Sequence, residues 1–484
     1  MKKKRVIGIL LLSIFLVMGV SAHSGKPKYH VIVDTDGAID DMRAISMLLS
    51  GNDIRVLAIT CSQGTLLPDT VYTKVYSLLS AFHHEGIPLG LSAQADIELP
   101  DWEPFARNIN WSNAVQEEKP GCQVRSAELL NRAIEDYRSK VTLIALGSLK
   151  TYADWLKANS GAAEKIDRII WYNNHNIEEG FNYKVSPESY DYIKQCGILL
   201  EIVANNSDDL LVSSGYLDLV SSRGSVYGKQ IEDVHSQPMV IERINDKHLH
   251  LWDDLVPLYL TIPLLFDVET ADNIKFTSLN PQLPSDMVYE MIHRLLKSAN
   301  ATNNRVFSSF PVDTALYKPE YARILTETIE RFGPVEWKAI CMTNEIHGHT
   351  GIYSIVGAKM GIRAIEYFNV GVNNLNVITF AGNTPPLSCF NDGLQISSGA
   401  TIGQGLITVS DSISSTPSVI FEFNKQKVRI SLKQEFAEKM RNEIAYGVSN
   451  YGLLSDTYWL YIEKLAIDYW ADFDRQKIFL IERL

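Results

Sequence analysis

The 484-residue sequence holds only five cysteines, Cys61, Cys122, Cys196, Cys341 and Cys389, and none of them falls in a C-x-x-C spacing. A zinc ribbon and a dense disulfide scaffold are thereby excluded. The odd count leaves at least one thiol unpaired or coordinated. An oxidising compartment would permit a bridge, but the sequence does not choose its partners. Positive charge is also short: 45 Lys and Arg face 57 Asp and Glu, for a formal net charge of −12. Such a chain repels phosphate backbones and anionic lipid surfaces, which argues against nucleic acid as a partner. No internal repeat is found. What is present, 46% hydrophobic, 21% charged and 10% aromatic residues, is the composition of a globular protein with material for large cores. The length suits two generous domains or three.

The N-terminus reads as a cleavable secretory signal over residues 1–22. Lys2, Lys3, Lys4 and Arg5 precede an apolar-rich run at residues 6–20, followed by Ser21 and Ala22. The run is 15 residues long, short of the roughly 20 that a spanning helix needs, and the small residues after it suit cleavage behind Ala22. No cysteine follows the run, which argues against a lipoprotein. Removing the four basic residues takes the net charge from −12 to −16. The expected location is periplasmic or secreted, with no stable membrane span after cleavage.

From residue 29 to about 222 short β-branched runs alternate with amphipathic stretches, within a first domain expected over residues 23–305. Residues 30–33, 55–60, 141–146 and 168–171 read as strands buried on both faces, and the segments between them have helical length and period. The expected fold is α/β, an open and mostly parallel sheet flanked by helices. Ligands of such sheets bind beyond the carboxyl ends of the strands, so the residues just after each run matter most. After a polar stretch at residues 298–304 the grammar changes. Helices near 319–331 and 352–368 precede extended runs at 377–380 and 419–423, and two further helices, near 433–446 and 456–470, close the chain. Residues 306–484 therefore read as an α+β domain.

At the end of the first strand stand Asp34, Thr35, Asp36, Gly37, Ala38, Ile39, Asp40 and Asp41. Four carboxylates so close repel one another unless a cation neutralises them. Hard divalent ions, calcium above all, take several such oxygens. Placement in the first turn of a helix would account for Asp40 and Asp41, but not for Asp34 and Asp36. The segment resembles the D-T-D-x-x-x-D-D signature of the inosine-uridine-preferring nucleoside hydrolase family. Leu146, Gly147, Ser148 and Leu149 are similar to that family's strand-to-helix turn, Gly180, Phe181 and Asn182 to its E-F-N segment, and Trp252, Asp253, Asp254 and Leu255 to its H-D-P-L stretch. The resemblance, over roughly residues 28–300, implies calcium held by Asp36, Asp41, Asp253 and the backbone carbonyl of Leu146. It further implies Asp36 as general base on a water held by the ion, with Asp40 and Asn182 on the ribose. The implied reaction is hydrolysis of the N-glycosidic bond of a small-molecule nucleoside through an oxocarbenium-like transition state.

Three positions depart from the family pattern. Its ribose-binding asparagine after the second strand falls near Thr65, the glutamate of E-F-N is Gly180, and the histidine before the last aspartate is Trp252. Trp252 thereby touches the expected handling of the nucleobase, since a leaving base needs protonation or stacking. His248 and His250 lie nearby. These departures leave a riboside-binding pseudoenzyme as an alternative. Residues 31–37 also resemble the haloacid-dehalogenase phosphatase opening, in which Asp34 would be the phosphorylated nucleophile. That family wants threonine or valine where this chain has Ala38, and Asp40, Asp41 and Asp253 favour the nucleoside hydrolase pattern.

In the second region, His347, Gly348 and His349 precede a glycine-punctuated helix. Later come Cys389 to Asp392 in a C-x-x-D pattern and a glycine-rich run at residues 399–405. Together these resemble the family of E-type formylmethanofuran dehydrogenase subunits, over about residues 335–435. Two things differ: the cysteine and proline that follow H-G-H are absent, and the lysine of the last motif is Gln404. The resemblance implies a site for zinc or another transition metal at His347, His349 and Cys389, with Asp392 in either shell. Assembly of identical copies is left open.

Overall fold

The computed structural model describes residues 27–484 apart from 113–122, 136, 138, 206, 208, 223, 224, 299–303 and 305. The expected signal segment, Cys122 and most of the polar stretch at 298–304 lie outside the described residues. The first domain is built on nine strands: β1 (Tyr29–Thr35), β2 (Ile54–Cys61), β3 (Leu89–Leu91), β4 (Val124–Arg125), β5 (Val141–Ala145), β6 (Ile166–Tyr172), β7 (Leu199–Ala204), β8 (Phe266–Ala271) and β9 (Ile274–Leu279). Their order across the sheet is β4-β3-β2-β1-β5-β6-β7-β9-β8. All neighbours run parallel except β8 with β9. The order reverses between β1 and β5, which makes the crevice beyond their carboxyl ends the ligand position of this class of sheet.

Both faces are covered, as the continuous apolar strands require. One core packs α1 (Ile39–Ser50) and α2 (Pro68–Ala81) on the sheet with Val31, Val33 and Ile144. The other packs α3 (Ser126–Glu135) and α4 (Lys150–Ala158) on the opposite face with Ile32, Leu143 and Ile169. A short helix, α5 (Leu255–Thr261), is buried along most of its length.

The second domain has its own core, running from Ile324 to Phe479. Its helices are α6 (Pro319–Phe332), α7 (Pro334–His347), α8 (Ile352–Phe368), α9 (Phe390–Ser398), α10 (Gln434–Tyr451) and α11 (Asp456–Asp472). They cover a sheet of β10 (Asn376–Thr379), β11 (Ile407–Val409), β12 (Ser418–Phe423), β13 (Gln426–Leu432) and β14 (Phe479–Arg483), in the order β11-β10-β12-β13-β14. A glycine in each of α8 and α9 lets the two helices lie backbone to backbone. A Cβ on Gly357 would sit 2.1 Å from the Phe390 carbonyl oxygen, and one on Gly393 would sit 2.0 Å from that of Ser354. No described helix is long and apolar enough to cross a membrane.

The two domains meet along a polar seam. The Gly86 amide donates to the Tyr367 carbonyl at 2.8 Å, and Arg363 pairs with Glu85 at 3.1 Å. Arg483 donates to the Glu85 carbonyl at 2.7 Å, while Arg55 reaches Asn374 at 2.9 Å.

Candidate functional site

β1 delivers the acidic segment to the crevice. Gly37 turns the chain there with φ of +80°, a conformation open to glycine and costly for other residues. α1 begins two residues later, so Asp40 and Asp41 occupy its first turn. Asp34 plays a structural part. It is fully buried, and its two oxygens accept from Thr60 at 2.5 Å and Ser62 at 2.7 Å. Burial pushes its pKa up to about 7. The phosphatase alternative, which makes Asp34 a nucleophile, is corrected by this enclosure: no face of the carboxylate is open to a substrate.

Beyond Asp34 the carboxylates converge. Oxygens of Asp40, Asp41 and Asp253 all lie within 4.8 Å of one another, the one set of three His, Cys, Asp or Glu side chains among the described residues to do so. Asp41 accepts from the Thr35 hydroxyl at 2.6 Å and the Asp36 amide at 3.1 Å. Asp36 is wedged between two glycines. A Cβ on Gly64 would stand 2.1 Å from its Oδ2, and one on Gly147 3.3 Å away. One oxygen of Asp36 and one of Asp253 are buried with no partner. Burial raises every member: Asp40 to about 6 against the pull of Arg43, and Asp41 to about 7 with help from the charge of Asp40. Asp36 and Asp253 are pushed well above the usual range, by burial first and then by Asp41.

The nearest cation is already engaged. Arg43, on α1, grips Asp254 through Nε at 2.9 Å and Nη2 at 2.8 Å, both side chains being fully buried. Its Nη1 lies 3.2 Å from His235 Nε2, and His235 Nδ1 faces the Ile231 carbonyl at 2.7 Å. The imidazole therefore donates through Nδ1 and accepts at Nε2. Burial, and then the charge of Arg43, lower its pKa to about 3, so it is neutral.

The other expected residues border this cluster. The Leu146 carbonyl accepts the Asn182 amide at 2.7 Å, and the same amide nitrogen donates to the Tyr172 carbonyl at 3.1 Å. Asn182 Nδ2 thereby braces the crevice wall, and its Oδ1 is left to offer a sugar. Thr65 is buried; it hydrogen-bonds Asp36 and receives the Trp102 indole N–H at 3.4 Å. Trp102 in turn meets Phe181 edge-on at 5.0 Å. Trp252 is 41% exposed and stacked on His250, with ring centroids 5.2 Å apart. Of the expected calcium set, Asp41 and Asp253 converge, with Asp40 beside them, and Asp36 adds a buried oxygen without a partner.

In the second domain His347 closes α7, and Gly348, with φ of +78°, turns the chain so that the His347 and His349 rings lie 4.3 Å apart. His347 Nδ1 pairs with Asp392 at 2.7 Å, and its Nε2 is buried without a partner. Cys389 is not drawn in. The ligand atoms of the expected trio His347, His349 and Cys389 do not all lie within 4.8 Å of one another. Asp392, on the first turn of α9, holds the His347 imidazole through Nδ1 and leaves Nε2 as the nitrogen open to a ligand, the outer-shell arrangement of a metal-binding histidine. The four described cysteines, Cys61, Cys196, Cys341 and Cys389, are free thiols.

Residues 31–206 match the family model described as inosine-uridine preferring nucleoside hydrolase, and residues 346–450 match that described as FmdE, molybdenum formylmethanofuran dehydrogenase operon. The chain joins a nucleoside hydrolase-like domain to an FmdE-like domain. The first is similar to uridine nucleosidase 1 of Arabidopsis thaliana, 24% identical over 204 residues that cover 38% of this chain and 61% of that protein. It is also similar to the pyrimidine-specific ribonucleoside hydrolase RihA of Shewanella oneidensis, 27% identical over 186 residues, 35% of this chain and 56% of that one. The chain therefore spans less than two thirds of the length of these curated relatives. A solved plant nucleoside hydrolase, PpNRh1, superposes with a TM-score of 0.48 at 18% identity, over 56% of this chain and 100% of that one.

Within the nucleoside hydrolase-like domain one departure has a structural counterpart. Where the E-F-N glutamate would stand, a Cβ on Gly180 would fall 1.9 Å from Asn173 Oδ1. Asn173 occupies that space from the end of β6, with its Nδ2 on the Ile177 carbonyl at 3.0 Å. Sequence reasoning missed Asn173 and the Arg43–Asp254–His235 group. The tandem Asp253-Asp254 was the one available signal: an acid doubled behind a metal-type aspartate calls for a buried cation elsewhere.

Proposed function

We propose that the nucleoside hydrolase-like domain cleaves the N-glycosidic bond of ribonucleosides in a calcium-dependent reaction, and that the protein works outside the cytoplasm. The observation that carries this is the convergence of Asp40, Asp41 and Asp253, with unpartnered buried oxygens on Asp36 and Asp253, at the point where the strand order reverses. The all-oxygen donor set fits a hard divalent ion. Asp36, Asp41, Asp253 and the Leu146 carbonyl would hold it, with Asp40 beside them. When bound, calcium would offset the carboxylate charge, acidify a water and orient a ribose. Asp36 has the free oxygen and the raised proton affinity of a base that removes a proton from water. Asp40 accepts from ribose hydroxyls, and Asn182 offers Oδ1. The Trp252–His250 stack supplies an aromatic face for the departing base, with the imidazole as the group able to hand it a proton. The names of the two curated relatives agree with a nucleoside substrate.

A second reading, binding of ribosides without cleavage, is favoured by the filling of the Gly180 position by Asn173. Release of reducing sugar from a nucleoside panel, with and without chelator, separates the two. Chelator-sensitive release supports the hydrolase; saturable binding with no release supports the pseudoenzyme. N-terminal sequencing of native protein tests export, with a start at or near His23 expected.

A further inference from the structure

The FmdE-like domain contains a cavity of about 1000 Å³ between α7, α11 and the segment that leads into α6. Nothing in the hydrolase chemistry uses it. Tyr321, Asn344, His349, Trp459, Glu463 and Trp470 are among its walls. Its chemistry has three parts. The first is aromatic: His349 meets Trp459 edge-on at 5.3 Å, and Trp470 is backed by Trp337 at 4.4 Å in a stacked pair. The second is a set of polar atoms without partners. Both Nδ2 and Oδ1 of Asn344 are buried and unbonded, and so is Trp470 Nε1. Buried polar atoms left unpaired are costly, and native structures keep few of them without a reason. The third is charge: Glu345, Asp456 and Glu463 outnumber Lys318 around the cavity. Tyr321 donates to Glu463 at 2.8 Å and meets the Thr350 hydroxyl, so that acid is fixed in place.

We propose that this cavity binds a neutral planar nitrogen heterocycle of the nucleobase class. Aromatic walls favour a flat π-system and tolerate different rings. An asparagine with donor and acceptor both free matches an edge that carries an acceptor beside a donor, the pairing by which an asparagine reads adenine. The χ2 torsion of asparagine is soft, so a small rotation turns the amide edge to the ligand. The acidic surroundings repel a phosphate, which sets bases and their ribosides apart from nucleotides. The volume stands at the upper end of small-molecule sites and leaves room beyond one ring system. This assignment does not depend on turnover by the first domain.

The test uses the full-length chain carrying Asp36→Asn, so that the first domain does not consume a riboside, with adenine, adenosine, uracil and AMP as probes in equilibrium dialysis. One saturable equivalent of a free base is expected, with AMP weaker. Asn344→Ala should weaken binding roughly 10-fold or more, the scale of one lost bidentate pair. Trp459→Ala should weaken it as well, and sugar release by otherwise wild-type protein should be unchanged in both variants. If Asn344→Ala fails to fold, Asn344→Asp, which keeps the shape and removes the donor, takes its place. The proposal is overturned if no base binds below millimolar, or if binding ignores both cavity substitutions and follows Trp252→Ala instead. It is equally overturned if Trp459→Ala dissociates a ligand-free dimer, since the cavity would then be a contact between copies.

Discussion

Asp36 and Asp253 each keep one oxygen buried and unbonded, and the cost of such atoms is met only when something binds there. For Asp36 the expected partner is a water that must lose a proton. Asp36→Asn should therefore lower turnover by about 10²- to 10⁴-fold, the usual weight of a general base. The melting temperature should hold or rise, because a repelling charge leaves the cluster; circular dichroism melts beside the sugar-release assay read both. Turnover within a few-fold of wild type would remove Asp36 from the chemistry. A second residue-scale expectation concerns Gly180, where a methyl group would meet Asn173 Oδ1 at 1.9 Å. Gly180→Ala should destabilise by about 1–3 kcal/mol, the range for overpacking. Adding Asn173→Ala should recover most of that loss in thermal melts, and failure to recover it would mean that the backbone at 180, not the contact, sets the cost. Trp252 and Gly180 were legible as departures from a pattern; Asn173, which fills the gap, lies seven positions away in sequence and carries no motif.

Elements were legible where burial imposed a simple period. β1, β2, β5 and β6 are covered on both faces and show as unbroken apolar runs, and α6, α8, α10 and α11 lie within a few residues of their expected spans. The hairpin of β12 and β13 was half seen. Its two-residue turn is Asn424-Lys425, with φ of +49° and +64°, and without the glycine that normally marks such a turn the second strand passed unnoticed. α7 was missed as well, since its amphipathic signal is weak and its end is set by Gly348. The tie between α1 and the loop before α5 was beyond the sequence, because Arg43 and Asp254 are 211 positions apart. That tie holds the start of α1, and so Asp40 and Asp41, in register with Asp253. Arg43→Met should cost about 3–5 kcal/mol by leaving Asp254 buried and unpaired. The double variant Arg43→Met, Asp254→Leu should regain most of the stability while activity stays low; chemical denaturation gives the first quantity and turnover the second. Equal instability of the single and double variants would show that the pair matters for packing rather than charge.

On the scale of the whole molecule the acidic cluster couples folding to pH and to calcium. Asp34 and Asp41 are raised from 3.8 to about 7 and Asp40 to about 6, so the folded state holds these protons more tightly than the unfolded chain does. Their contribution is complete below about pH 4 and is lost as pH rises through 6 to 7. Chelated protein should therefore melt at a lower temperature at pH 8 than at pH 5, by roughly 2–4 °C for each kcal/mol lost. Millimolar calcium should close that gap, because an ion that binds only the native state stabilises it. A melting temperature in chelator that is flat from pH 5 to 8 and indifferent to calcium would contradict the site. The presence of a second, α+β unit was legible from composition and grammar, but the seam was not, because its bonds join backbone groups and charges that carry no pattern. Arg483 and Glu85, which meet there, are 398 positions apart. At about 5–20 residues per second of synthesis, the chain between them takes roughly 20–80 s to make. For the first 278 positions of that interval residues 83–86 stand without Arg363, and to its end without Arg483, so the hydrolase-like domain must survive before its neighbour is complete. Whatever the seam adds to the finished protein comes last in time, and none of it can help the first domain through its wait.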